Sequence, residues 1–437
     1  MLRRFAVLLV MLVAIAIAVV LLMVCPWWAL PAAVVLLAAW LAGTRTGRQT
    51  WSVTGVGLAT IPQRLGSSSV VVVGIAGVVG VLVAMLAMAV GFEKTLRQTG
   101  SDGTAIVMRA GAQTELNSVL SHETAQLVAQ EPQVLHDSAG QPIASPELVL
   151  VASLPKKSNG LDANVEIRGV GPRAWELRPY IRIIAGRRFA SGLRELIAGK
   201  AAREQFAGLE PGATLRLNGQ PWTVVGAFEA GDAHDSEVWA DSDVVGATYR
   251  RGSSSSSVSV ELTSPAAFDG LKAALMSDPR LKVDVATTRA YYNQQSAQLT
   301  RMIRILGTVV GAIMAVGAVF GALNTMYAAV AARAREIATL RAIGFRGVPV
   351  VVSVLIETML LALAGGVIGA AVAWLLFDNY TASTLGANFS QVAFAFVVSP
   401  ALVWSGLKWA LAIGFIGGLF PAVRAARVPV TAGLREL

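Results

Sequence analysis

Cysteine, histidine and charge are all scarce in this chain, and each scarcity closes off a class of function. Cys25 is the only cysteine, so no disulfide can form within the chain. The three histidines, His122, His136 and His234, include no helical His-x-x-x-His pair of the kind that holds a catalytic zinc. No Gly-x-Ser-x-Gly elbow is present. The nearest approach to a P-loop, Gly199-Lys200-Ala201, lacks both the hydroxyl and the preceding glycine. Charged residues make up 14% of the chain, against roughly 25% in soluble domains. What replaces them is apolar: 54% of the residues are hydrophobic. The composition is that of a membrane protein without catalytic machinery of its own.

The charge that remains is sorted. Residues 93–300 hold 21 basic and 23 acidic side chains, whereas the rest of the chain holds 15 and 4. The net charge of +9 therefore belongs to the segments around apolar runs. Nucleic acid is not an expected partner, because that would need a basic face on a folded soluble region. Six apolar runs qualify as spans: Phe5–Val24, Trp27–Ala42, Val70–Val90, Met302–Val330, Val348–Phe377 and about Ser399–Val423. Arginines cluster at one end of them: Arg3 and Arg4; Arg45, Arg48 and Arg64; Arg333–Arg346; and Arg424, Arg427 and Arg435. By the positive-inside rule both termini are cytoplasmic and residues 92–300 lie outside. The first run is too long for a cleavable signal peptide, so a retained hairpin of two helices is expected. Between Arg45 and Ser69 either an elbow lying flat on the membrane or an irregular linker fits.

Asn324–Gly347 (NTMYAAVAARAREIATLRAIGFRG) joins two of these runs through a cationic segment with one acid, Glu336. Apolar Ile337, Leu340 and Ile343 alternate at helical spacing with Arg335, Glu336 and Arg341, which reads as a short amphipathic helix beneath the membrane. An interfacial helix anchored by its arginines fits the same pattern. Arg335–Phe345, followed by Ile356-Glu357 and Gly365-Gly366, resembles the permease subunits of MacB/FtsX-like ABC transporters. The segment from Gly418 to Arg427, continuing to Gly433-Leu434-Arg435, is similar to that family's last span and tail.

The resemblance implies a coupling helix at 333–347 that docks on a separate ATPase, with Arg333, Arg335, Glu336, Ile337, Leu340, Arg341, Ile343, Gly344 and Phe345 as coupling residues. It implies a homodimer with two copies of an ABC ATPase, which binds the ATP and Mg, while this chain binds no cofactor or metal. A periplasmic adaptor and membrane lipid complete the expected partners. The implied function is export or extraction of an amphiphile, lipid, peptide or lipoprotein at the inner membrane. The alternative is an FtsX-like signal transducer that activates a periplasmic partner.

The expected fold is an α-helical transmembrane bundle of six spans with an α+β extracytoplasmic domain. Its divisions are an N-terminal hairpin (1–43), an elbow and third span (44–91), the extracytoplasmic domain (92–300) and a three-span core (301–437). Within the domain, strands are expected at Ala105–Arg109, Leu148–Ala152, Val165–Val170, Thr214–Leu217, Thr223–Ala227, Val258–Leu262 and Val283–Val285. Asn218-Gly219 marks a hairpin turn. Helices are expected at Glu115–Ala129, Lys200–Ala207 and Pro265–Met276, the last with Ser264 as N-cap. Arg250–Ser257 (RRGSSSSS) reads as a mobile loop. The acidic stretch around His234, with Asp232, Asp235, Glu237, Asp241 and Asp243, reads as a solvated loop and not as a cation site. Glu357 and Asn324 are the polar residues expected within spans. Gly365-Gly366 and Gly417-Gly418 are expected to serve close helix packing.

Overall fold

The computed structural model describes residues 16–59 and 61–427, which divide into two compact units. One gathers the chain up to Ala89 with Met302–Asn379 and the chain from Val397; the other comprises Val90–Arg301 and Tyr380–Phe396.

Among the described residues of the helical unit, four helices are long and apolar enough to cross a membrane, or five if a bent pair counts as one span. The bent pair is α1 (Ala29–Gly43) and α2 (Arg45–Ala59), which meet at 103°. Thr44 makes the corner: its extended backbone ends α1, and its hydroxyl caps α2 by accepting from Gly47 N at 2.9 Å. The elbow is thus a regular helix, with Gly47, Thr50, Val53, Thr54 and Gly57 as one buried face. The four long helices are α3 (Leu65–Thr99), α4 (Thr288–Ala332), α6 (Gly347–Phe377) and α7 (Pro400–Arg427), with the short α5 (Ala334–Ala342) between α4 and α6. Four of the six expected runs are therefore long helices, and the second is the bent α1. Of the first run only the helical stretch 16–24 is described; Arg3, Arg4 and Gly433–Arg435 lie outside the described residues.

The glycine doublets work as expected, and each serves two neighbours. A methyl group on Gly365 would fall 2.7 Å from the Val72 carbonyl of α3, and one on Gly366 would fall 2.7 Å from Ala410 Cβ of α7. Gly417 meets Ala322 of α4 in the same way, and Gly418 meets Thr358 of α6. Adjacent helical positions point about 100° apart, so one doublet admits two helices. Lys408, which stands beside Trp409 in the sequence, donates to the Met23 carbonyl at 2.7 Å.

The second unit is built on a ten-stranded sheet in the order β10-β1-β9-β2-β3-β8-β5-β7-β4, with β6 on β7. The strands are β1 (Thr104–Arg109), β2 (Ala144–Pro155), β3 (Asp162–Val170), β4 (Arg182–Gly186), β5 (Glu195–Gly199), β6 (Thr214–Leu217), β7 (Gln220–Glu229), β8 (Glu237–Asp241), β9 (Ser257–Glu261) and β10 (Val283–Thr287). One core lies under β1, β9 and β10, around Val107, Val128, Val258 and Leu271. The other lies under β3, β8, β5 and β7, around Ile167, Phe206, Trp222 and Val238. Asn218 and Gly219 take φ of 44° and 78°, the hairpin turn that their sequence requires.

Several local expectations are corrected. The stretch from Glu115 breaks into a 3-10 turn (Glu115–Asn117) and a helix (His122–Ala129), because Leu120 bridges to Ser255 and Ser121 caps the second piece. Ser264 makes no capping bond; Pro265 opens a 3-10 turn, and the helix proper is Phe268–Ser277. The serine run is no mobile loop at its C-terminal end, where Ser255, Ser256 and Ser257 are buried. A second sheet, β11 (Thr381–Leu385) with β12 (Gln391–Ala395), forms from the segment joining α6 to α7 and belongs to this unit.

Candidate functional site

The cationic segment folds as α5, set off from α4 by Arg333 alone. Its end explains its sequence. Phe345 N donates to Leu340 O at 3.1 Å and Gly344 N to Arg341 O at 3.2 Å, the two bonds of a Schellman motif. Gly344 sits at φ +103°, where a side chain is strained. The motif therefore fixes where the helix stops and turns toward α6.

Two faces result. Ile337 is buried among Met326, Val330, Val350, Val354 and Ala422, with Leu340 half-buried. Arg335, Glu336 and Ile343 are exposed, Ile343 to 69%. The expectation that Ile337, Leu340 and Ile343 share one docking face is corrected: Ile337 seats the helix on its own unit. Arg341 and Phe345 are half-buried. Asn324 is exposed on α4.

Glu357, buried to 3% on α6, is the anchor. It accepts from Arg333 Nη1 at 3.2 Å and from Arg64 Nη2 at 3.1 Å. Arg333 also reaches Glu336 at 3.1 Å. The face of α2 lies against the same group, since a methyl on Gly57 would come 3.1 Å from the Arg333 guanidinium. One carboxylate thus ties together the start of the cationic helix, the turn before α3, and α6. A buried carboxylate is costly unless paired, which accounts for Glu357 in an otherwise apolar helix. Glu357 was expected within a span, but nothing in the sequence signals its partners, which lie 293 and 24 residues away.

A second buried charge cluster lies in the α+β unit, and sequence reading missed it. Strand alternation puts Glu166 and Arg168 of β3 on one face, and the parallel register sets Glu237 of β8 beside them. Arg168, 1% exposed, donates to Glu115, Glu147, Glu166 and Glu237 at 2.8–3.0 Å. Arg178 takes the other side of Glu147 at 2.7 Å. Burial, and then the Glu237 carboxylate, push the Glu166 carboxyl up to about 7. Burial acts the same way on Glu237, but Arg168 and then His234 outweigh it and lower that group to about 2. The stretch around His234 is not a solvated loop: Asp232 pairs with His234 at 2.9 Å and Asp241 caps the helix Ser242–Thr248. Among the described residues no group of His, Cys, Asp or Glu is arranged to hold a metal.

These features meet known proteins in two consecutive matches. Residues 68–277 match the MacB-like periplasmic core domain, and 308–430 match the FtsX-like permease C-terminal region. The macrolide export ATP-binding/permease protein MacB 2 of Yersinia pestis bv. Antiqua is 37% identical over 139 residues, covering 32% of this chain and 18% of that protein. The MacB of Vibrio parahaemolyticus is 25% identical over 316 residues, covering 64% and 46%. The ABC transporter permease YknZ of Bacillus subtilis is 26% identical over 254 residues, covering 55% and 61%. The chain thus spans less than two thirds of the length of these relatives. The crystal structure of the periplasmic region of MacB from Actinobacillus actinomycetemcomitans aligns with a TM-score of 0.34 at 16% identity, covering 45% of this chain and 94% of that one. With its long apolar helices and this domain, the chain is a multi-pass membrane protein with an extracytoplasmic region. It belongs to the MacB/FtsX-like family of ABC transporter permeases.

Proposed function

We propose that this chain is the membrane subunit of an ATP-driven assembly in which α5 docks on a separate ABC ATPase at the cytoplasmic face of the inner membrane. The observation that carries this reading is the build of α5. It is a short cationic helix with one face buried on its own unit, its end fixed by a Schellman turn and its start held by Glu357. Such a helix offers a rigid surface of Arg335, Glu336 and Ile343 to a partner. With α5 inside, both termini are cytoplasmic.

A homodimer with two ATPase copies fits α4. Exposed Met302, Val309 and Val316 repeat every seven residues, as do Leu306, Ile313 and Phe320, the spacing by which two helices pack. Helix α4 has 45 residues, about 68 Å at 1.5 Å per residue, whereas the hydrocarbon core takes about 30 Å. Its excess length suits a stalk that passes ATPase closure to the outer domain. Relatives named for macrolide export make an amphiphile the first cargo to try.

The test is co-purification of the cognate ATPase with Ile343→Asp and Arg341→Glu variants, together with transport-linked hydrolysis. Both variants should insert normally yet lose ATPase association or coupling. Normal association and coupling in both would overturn the docking assignment.

A further inference from the structure

We propose that the groove at the end of α7 is a binding site for an anionic phospholipid, its phosphate held by Arg424 and Arg427 and an acyl chain lying on Leu419, Phe420 and Val423. These five residues line a cavity of about 280 Å³. They share one face because a helix brings positions i, i+3, i+4 and i+7 together, here Phe420, Val423, Arg424 and Arg427. The opposite face, with Gly418, Pro421, Ala422 and Ala425, is buried in the bundle. The groove residues are also sorted along the axis. Leu419, Phe420 and Val423 are half-buried and lie further into the apolar helix, whereas Arg424 and Arg427 are exposed in its last turn. A phospholipid has the same order, with its chains in the hydrocarbon and its phosphate at the surface.

The two arginines differ from their neighbours in the unit. Arg64 and Arg333 are paired with Glu357. Among the described residues no carboxylate lies within ion-pair distance of Arg424 or Arg427. Arg424 rests instead on the Tyr327 ring of α4, 5.4 Å from its centroid, which leaves the N–H fork of the guanidinium for another acceptor. A soluble anion would gain nothing from Leu419 and Phe420, and a neutral amphiphile nothing from the arginines. A zwitterionic lipid brings its own ammonium against the same guanidiniums. An anionic phospholipid uses both halves of the groove.

The site lies beside the seat of α5. Ala422, on the buried face of the same turn, packs with Ile337, and a methyl group on Gly347 at the start of α6 would fall 3.3 Å from Ala426 Cβ. Lipid on the outer face therefore braces the helix against which α5 is seated, whether or not α5 carries a partner.

Native mass spectrometry of the full chain in detergent counts bound lipid and protein copies together. Titrated with phosphatidylglycerol or with phosphatidylcholine of the same acyl chains, the wild type should bind the anionic lipid roughly thirtyfold more tightly, the effect of two arginines near one headgroup. The double variant Arg424→Gln/Arg427→Gln should bring the two lipids within about threefold of each other. Val423→Phe fills the groove but keeps both arginines, and it should lose the bound lipid. Glycerol 3-phosphate should not displace lipid from the wild type. Equal affinity for the two lipids, an unchanged preference in the double variant, or displacement by glycerol 3-phosphate would overturn the site. So would lipid retained in Val423→Phe, and a change of copy number there would mark the groove as an interface between copies. A preference that emerges only when the chain is ended at Arg427 would assign the groove to residues 428–437 and overturn it as well. If Val423→Phe does not fold, the arginine pair alone decides.

Discussion

The two units each bury an arginine–carboxylate cluster, and the two clusters differ in charge balance. In the helical unit one buried carboxylate, Glu357, lies between two guanidiniums, and Arg333 also reaches Glu336, so acids and guanidiniums balance. In the α+β unit two guanidiniums serve four carboxylates, so the acids outnumber the guanidiniums by two. The first arrangement is suited to holding elements in place, because each of its charges has an opposite charge within 3.2 Å. The second is suited to exchanging a proton, because its repulsion is relieved by one.

Arg168→Ala should be the most damaging change in either unit. It strips the shared partner from four buried carboxylates and should cost at least about 3–5 kcal/mol. Denaturant unfolding of the full chain should show the α+β unit lost or barely stable. A smaller effect than that of Glu357→Gln would break the comparison.

Next in size is the pH response. Glu166, raised to about 7, contributes stability below about 4.5 that is lost as pH rises through 7. Glu237, lowered to about 2, contributes stability above 4.5 that is lost as pH falls through 2. Relative to Glu166→Gln, the wild type should lose on the order of 2–3 kcal/mol between pH 5 and 8. Thermal or chemical unfolding across that window measures the difference.

Glu357→Gln leaves Arg64 and Arg333 sharing a neutral group, at about 1–3 kcal/mol. The prediction is a chain that still folds and exposes α5 to protease. Protease resistance equal to that of the wild type would remove Glu357 from its anchoring role. Gly344→Ala strains the Schellman turn by about 1 kcal/mol and should weaken ATPase coupling more than overall stability. Ser264→Ala, with no capping bond to lose, should stay within about 0.5 kcal/mol of wild type.

What the sequence made legible followed the physics of each region. Long apolar runs announce membrane helices, because in lipid a helix must satisfy its own backbone. The doublets Gly365-Gly366 and Gly417-Gly418 were readable for the same reason. Strand β8 was not readable. Its two ends are Glu237 and Asp241, which look solvated until Arg168 and a helix N-terminus are brought to them by distant chain. The partners of Glu357 were hidden likewise, since an arginine flanking a span reads as a topology marker whether or not it reaches inward. Ile337 was misplaced because a nine-residue helix with mixed faces does not say which face its own protein will take.

The buried serines carry a consequence for anyone mapping the topology of this chain. Five consecutive serines invite use as a linker, for an epitope tag or for a single reporter cysteine in a background without Cys25. Ser253 is exposed, yet Ser255, Ser256 and Ser257 are buried, and Ser257 donates to Glu115 at 2.6 Å. A thiol at 255 or beyond would be shielded by the fold, and a failure to label it would be misread as shielding by the bilayer. A tag there would separate Glu115 from its serine and disturb the Arg168 cluster. Only a reporter at Ser253 would give an answer about sidedness alone.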